Sequence, residues 1–258
     1  DSKELTVRGR KLTKAELDGE EEELSAEEHS RYRAPVAGAN FLSTGRPDVA
    51  CAGKELCRRM SAPTGAEWLA LKRLGRYLKG KARMISYLPW QDASPLTVLT
   101  DSDWAGCPRT RRSTSGGLIM RGCHTLRHWC HTQPTVALSS AEAELMSLVR
   151  GASEALGLRS LSRDVGVDCN IHILIDASAA IGMCKRTGVG KVRHLDTRLL
   201  WIQDKVRCGD LSVDKVSGLL NPADALTKHL GSEMLMGHME RMSHWLALGR
   251  ASSAPQLS

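Results

Sequence analysis

Four carboxylates stand where folding alone does not call for them. Asp101 closes the apolar run SPLTVLTD, and Asp176 follows the apolar run IHILI in NIHILIDAS. Glu144 lies one turn into SSAEAELMSLVRGASEALGLRSLSRDVG, beside its apolar stripe, and Asp224 falls in the first turn of the segment opened by NPADAL. Each has an ordinary explanation alone: Asp at a strand end forms turns, and an acid in a first helical turn complements the helix dipole. Together they are harder to explain, because converging negative groups repel unless cations neutralise them. Hard oxygen ligands in that number suit a pair of Mg²⁺ or Mn²⁺ ions. If the strands ending at Asp101 and Asp176 are adjacent and parallel, their C-terminal ends bring the two acids together, at the edge where open α/β sheets place active sites.

Basic residues form a second constellation. Between residues 51 and 90 nine Lys and Arg face only Glu55 and Glu67. In PTGAEWLALKRLGRYLKG, read as a helix from Pro63–Thr64 to Gly80, Trp68, Leu71, Leu74 and Leu78 make the apolar stripe. Lys72, Arg76 and Lys79 lie off it. Arg109, Arg111 and Arg112 add a cluster soon after Asp101. Such a surface is either a solvated face or a contact for phosphates. Cys123, His124, His128, Cys130 and His131 offer zinc-type ligands, but their spacing matches no common zinc pattern.

The elements that must position these groups follow from periodicity. SPLTVLTD, GGLIMRG, TLRHWCHT, NIHILIDAS and LSVDKVSG read as five strands. The 139–166 segment is the strongest helix, with Ser139 and Glu142 spaced as a capping box and Leu145, Leu148, Val149, Ala152 and Leu156 on one face. HLDTRLLWIQDKVRCG reads as a weaker helix, and NPADALTKHLGSEMLMGHMERMSHWLAL as a last one with Pro222 at its first position. This order predicts a mixed α/β domain over 92–248. A mainly helical segment over 31–91 precedes it, with an acidic, disordered lead-in over 1–30 and a disordered tail over 249–258.

Composition is compatible with this plan. Hydrophobic residues at 41% and charged residues at 25% exclude wholesale disorder and coiled-coil architectures. A formal net charge of +7 favours a polyanionic partner. No apolar run reaches the roughly 18–20 residues that span a bilayer, and the N-terminus has no secretory apolar region. Eight cysteines without a CxxC pair read as reduced thiols, so an intracellular setting, cytoplasmic or nuclear, is expected. A start at Asp rather than Met reads as a fragment of something longer.

The motifs resemble a known family. TDSDWAGCPRTRRSTSGG is similar to the first strand and turn of the ribonuclease H domain in copia-type retrotransposon polyproteins. VALSSAEAELMSL, ILIDASAAIGM, HLDTRLLWIQDKV and NPADALTK resemble its later motifs, in family order. Upstream, YRAPVAGANFLSTGRPDVACAGKELCRRMSAPTGAEWLALKRLGRYLKG resembles the segment connecting the reverse transcriptase to that domain. The resemblance covers roughly residues 31–230.

It implies a ribonuclease H-like fold, a five-stranded mixed sheet flanked by helices. In it Asp101, Glu144, Asp176 and Asp224 would be catalytic and hold two divalent metals, with Asp101 between them. Asp103 and Glu142 compete for two of these places. Asp101 is preferred as the residue ending the strand, and Glu144 because Glu142 serves the cap. The implied activity is hydrolysis of the RNA strand of RNA–DNA hybrids, with an upstream reverse transcriptase portion as partner. No polymerase active-site motif occurs in this chain. Two departures are IDAS where the family commonly has CDN, which loses the Asn beside Asp176, and fewer positive charges before the SS motif. The rivals are an integrase-type enzyme, which would need its Glu last, and a decayed nucleic-acid-binding module.

Overall fold

Alternating and apolar runs become strands, and the periodic segments become helices that cover them. The computed structural model describes residues 6–7, 10–11, 22–92, 95–188, 197–249 and 251–252. In chain order these form a small ribbon, β1 (Thr6–Val7) with β2 (Arg10–Lys11), then helices α1 (Ala26–Leu42), α2 (Pro47–Cys57) and α3 (Gly65–Gly80). Strands β3 (Arg83–Ser86), β4 (Leu96–Asp103), β5 (Thr114–Arg121) and β6 (His124–Thr132) lead to the long helix α4 (Ser140–Asp164). The chain continues through β7 (Ile171–Ile175), α5 (Ser178–Lys185), α6 (Trp201–Arg207), β8 (Ser212–Lys215), α7 (Ser232–Arg241) and β9 (His244–Ala247).

The main sheet runs β6-β5-β4-β7-β8. The β6-β5 and β5-β4 pairs are antiparallel, while β4 pairs parallel with β7 and β7 with β8. This is the five-stranded mixed sheet of a ribonuclease H-like fold, reached through the crossover that a parallel pair requires. Pleating sends alternate residues to opposite faces. Leu96, Val98, Ile119, Ile171 and Ile173 pack with Leu145, Leu148, Ala152 and Ala155 of α4 and with Ile202 of α6. Leu99, Leu118, Met120 and Cys130 pack on the other face against Ala50, Cys51, Ala223, Leu226, Met239 and Met242. Each large apolar side chain so buried is worth about 1.5–3 kcal/mol relative to leaving it in water.

Three expectations change. The acidic lead-in ends early, because Ser25 and Glu28 form a reciprocal capping box that starts α1 at Ala26; most of residues 1–21, and Arg250 and 253–258 of the tail, lie outside the described residues. The segment over 31–91 is mainly helical, as expected, and packs on the sheet. Its α2 offers Val49 and Leu56 to a small core with Tyr32, Val36 and Leu74 and turns Ala50 and Cys51 to the sheet. The single last helix is three pieces: a 3-10 turn at Pro222–Leu226, α7, and strand β9, which pairs antiparallel with β3. Ser243 at φ 57° breaks the helix before β9. The weaker helix becomes a 3-10 turn at Thr197–Leu200 followed by α6, and His194–Asp196 lie outside the described residues.

Candidate active site

Asp101 does not end its strand. β4 runs on to Asp103, and Asp101 pairs across to Gly116 of β5. It is nonetheless buried, at 1% exposure. Strand β7 runs parallel to β4, with Leu99 in register with Leu174, so Asp176 just past its end arrives beside Asp101. Helix α4 supplies Glu144, whose Oε1 accepts the backbone N–H of Ser102 at 3.2 Å. Carboxylate oxygens of Asp101, Glu144 and Asp176 all lie within 4.8 Å of one another. Among the described residues this is the one group of three or more potential metal ligands.

The scaffold around the group is hydrogen-bonded and close. Ser147 Oγ lies 2.7 Å from the Asp101 carbonyl oxygen and 3.2 Å from that of Gly116, tying α4 to both strands. Asn221 Nδ2 donates to the Thr100 carbonyl at 2.9 Å, while its Oδ1 accepts the Ala223 N–H and starts the 3-10 turn. That turn passes so near β5 that a Cβ on Gly116 would lie 2.6 Å from Thr227 Cγ2 and 2.8 Å from Leu226 Cβ. At Gly218 a Cβ would come within 3.1 Å of Asp176 Oδ2.

Asp224, the fourth expected acid, stands outside the three-carboxylate group and is engaged by a base. Lys228 Nζ donates to Asp224 Oδ1 at 3.0 Å and to Asp101 Oδ1 at 3.2 Å. It is also 3.2 Å from Asp101 Oδ2, and the Thr227 hydroxyl donates to that same oxygen. Burial opposes the Lys228 charge, but Asp101 and Asp224 outweigh it and hold the ammonium above the ordinary lysine range. Burial raises Asp101 to about 6; Lys228 and the Thr227 hydrogen bond oppose the rise and Asp224 adds to it. Glu144 rises further, to about 8, chiefly through burial and then through the Asp101 charge, with Asp176 contributing and the Ser102 bonds opposing.

A divalent cation fits this group. The donors are hard carboxylate oxygens, and buried Glu144 Oε2 has no hydrogen-bond partner. Of the competing acids, Glu142 accepts the Leu138 N–H at 2.8 Å as part of the α4 cap, while Asp103 ends β4 and stands outside the three-carboxylate group.

The basic residues expected to meet nucleic acid are all exposed: Lys72, Arg76 and Lys79 on α3, and Arg109, Arg111 and Arg112 in the turn between β4 and β5. Arg58, Arg59 and Arg73 join Arg109, Arg112 and His229 around one groove, which sequence reading did not assemble. The Cys–His segment forms β6 and makes other contacts. His124 Nε2 lies 2.8 Å from the Pro89 carbonyl oxygen and His128 Nε2 2.8 Å from that of Ser43. Sequence reading also missed Lys228, although its spacing of four from Asp224 was a usable signal.

No protein-family model matches the chain. It is 38% identical over 125 residues to the uncharacterized mitochondrial protein AtMg00810 of Arabidopsis thaliana, matching 48% of this chain and 52% of that one. It is 31% identical over 204 residues to the retrovirus-related Pol polyprotein from transposon RE2 of the same plant, matching 78% of this chain and 14% of the polyprotein. The chain thus spans about half of the first relative and a small part of the second. Among solved structures, a ribonuclease H1 isolated from compost by a metagenomic approach matches 52% of this chain and 93% of its own, at 17% identity and a TM-score of 0.43. With its motifs in family order and 78% of its residues aligned to a small part of that polyprotein, this chain is a homologue of the retrovirus-related Pol polyproteins of copia-type transposons.

Proposed function

We propose that the chain is a metal-dependent endonuclease that hydrolyses the RNA strand of RNA–DNA hybrids, as one part of a transposon polyprotein. The observation that carries this reading is the convergence of Asp101, Glu144 and Asp176, with Glu144 Oε2 buried and without a hydrogen-bond partner. These three would hold Mg²⁺ or Mn²⁺, and Asp224 stands at the margin through Lys228. The two-ion site implied by the family resemblance needs Asp224 free as a ligand. A divalent ion bound at this group supplies Lewis-acid charge to a phosphodiester and acidifies a water molecule.

The chain's own groups do the rest. Ser147 and Asn221 fix the backbone that carries Asp101, so the carboxylate does not have to be ordered when substrate arrives. Arg109, Arg111 and Arg112, with Lys72, Arg76 and Lys79, offer charges for the two phosphate backbones of a hybrid. The RNA strand is distinguishable by its 2′-hydroxyls.

The test is a labelled hybrid incubated with Mg²⁺ or Mn²⁺, comparing the parent with Asp176→Asn. The variant keeps the shape and loses a ligand charge, so it should fold and bind hybrid but not cleave it. Equal cleavage by both proteins would sink the metal site. If neither cleaves and Mg²⁺ shifts neither melting temperature, the chain is a nucleic-acid-binding module instead.

A further inference from the structure

Lys228 occupies an unusual place. Its ammonium spans the two acids that a second divalent ion would have to share, at 3.0 Å from Asp224 Oδ1 and 3.2 Å from either oxygen of Asp101. We infer that Lys228 is a tethered cation standing in for a second divalent ion, so that the site takes one Mg²⁺ or Mn²⁺, at Asp101, Glu144 and Asp176. This rests on the metal-dependent reading above and fixes how many ions that reading requires.

Three observations carry it. First, the oxygens that gather within 4.8 Å come from three acids, and Asp224 is not among them. Glu144, one of those three, also keeps a buried Oε2 with no hydrogen-bond partner, so an unmet demand for a cation belongs to a member of the three-acid group. Second, the Lys228 backbone is held in place. The Lys228 N–H donates to the Asp224 carbonyl at 3.0 Å, and the adjoining Thr227 is buried, with its hydroxyl on Asp101. Leu226 and Thr227 lie close against Gly116 of β5, so the turn has no room to move further toward that strand. Third, an ion bridging Asp101 and Asp224 would have to displace the ammonium from both. It would do so while losing water, which Mg²⁺ gives up reluctantly.

Charge supports the same count. With every group ionised, four carboxylates and one ammonium leave three negative charges, and one divalent ion reduces these to one. A second ion beside a retained Lys228 would make the cluster positive. Removing Lys228 should therefore open the Asp101–Asp224 side to a second ion. Replacing Asp224 should cost no ion at all.

Mn²⁺ binding to the full chain, followed by the electron paramagnetic resonance of free Mn²⁺, separates these cases without reference to activity. The parent and Lys228→Arg should each bind one Mn²⁺, and Lys228→Met two. Asp224→Asn should bind one, with affinity within about threefold of the parent, since less than that is under 1 kcal/mol. Two ions in the parent, or loss of an ion in Asp224→Asn, would overturn the role of Lys228 while leaving the metal-dependent reading standing. One ion in a folded Lys228→Met would also overturn it. No ion in the parent would remove both readings together. If Lys228→Met does not fold, the parent count and Asp224→Asn decide.

Discussion

Glu144 and Asp101 carry their charges against burial, and that has a measurable cost. An acid whose native pKa lies above its unfolded value binds more protons in the folded state between the two values. Its contribution to stability is therefore full at low pH and is lost as pH rises. For Asp101 that loss sets in on the way to about 6, and for Glu144 on the way to about 8. Without divalent ions these two acids should thus lower stability, and with it the melting temperature, as pH rises, a loss on the order of a few kcal/mol at most. Burial holds His128, His131, His238 and His244 below the ordinary histidine value, which works the other way at lower pH, so the fall is read between pH 7 and pH 8. Glu144→Gln should remove most of that slope and raise the melting temperature at pH 8. Thermal melts in chelator across this range check the prediction, and a parent that gains stability from pH 7 to pH 8 would contradict it. Adding Mg²⁺ at pH 8 should raise the melting temperature of the parent more than that of Glu144→Gln.

At the scale of elements, the site depends on how closely the 3-10 turn at Pro222–Leu226 approaches β5. Gly116→Ala would put a Cβ 2.6 Å from Thr227 and 2.8 Å from Leu226. Both neighbours are buried, so the turn must shift, and overpacking of this kind costs about 1–3 kcal/mol. The melting temperature should fall, and chemical unfolding should move to lower denaturant without a change in slope. Much of this level was legible in the sequence. The apolar runs ending near Asp101 and at Asp176 indicated strands whose ends could meet, and the spacing in SSAEAELM separated the capping Glu142 from the inward Glu144. Asp101 was the right choice for an incomplete reason, since β4 continues to Asp103. The end of the chain was misjudged because helical periodicity hid two interruptions: Lys228 and Thr227 drawn to Asp101, and Ser243 in the left-handed region. Contacts of that kind depend on residues more than 120 positions away, as between Thr227 and Asp101, and no local pattern encodes them.

For the whole molecule, the division into a helical segment and an α/β domain is a division of sequence more than of packing. Ala50 and Cys51 on α2 share a core with Leu99, Leu118, Met120 and Leu226. Arg58, which caps the C-terminus of α2, also reaches the β4–β5 turn, donating to Cys107 Sγ at 2.6 Å. A chain beginning at residue 92 would leave that sheet face without the part of its cover that α2 supplies. Such a fragment should bind an apolar dye and melt well below the full chain, whereas a fragment as stable as the parent would show the two parts to be independent. Among the described residues no helix is long and apolar enough to cross a membrane.

The pairing of β3 with β9 bears on the order of events as the chain folds. Ser86 and His244, joined at 3.0 Å across this ribbon, are 158 positions apart. Closing so long a loop is entropically slow, and the gain arrives only after both ends are present. During synthesis the three helices and the start of the sheet leave the ribosome first, and β3 waits with an unpaired edge until residues 244–247 emerge. The ribbon is thus a late clasp, and termination before it would release a chain whose five-stranded sheet is formed but whose β3 is still open to other edges.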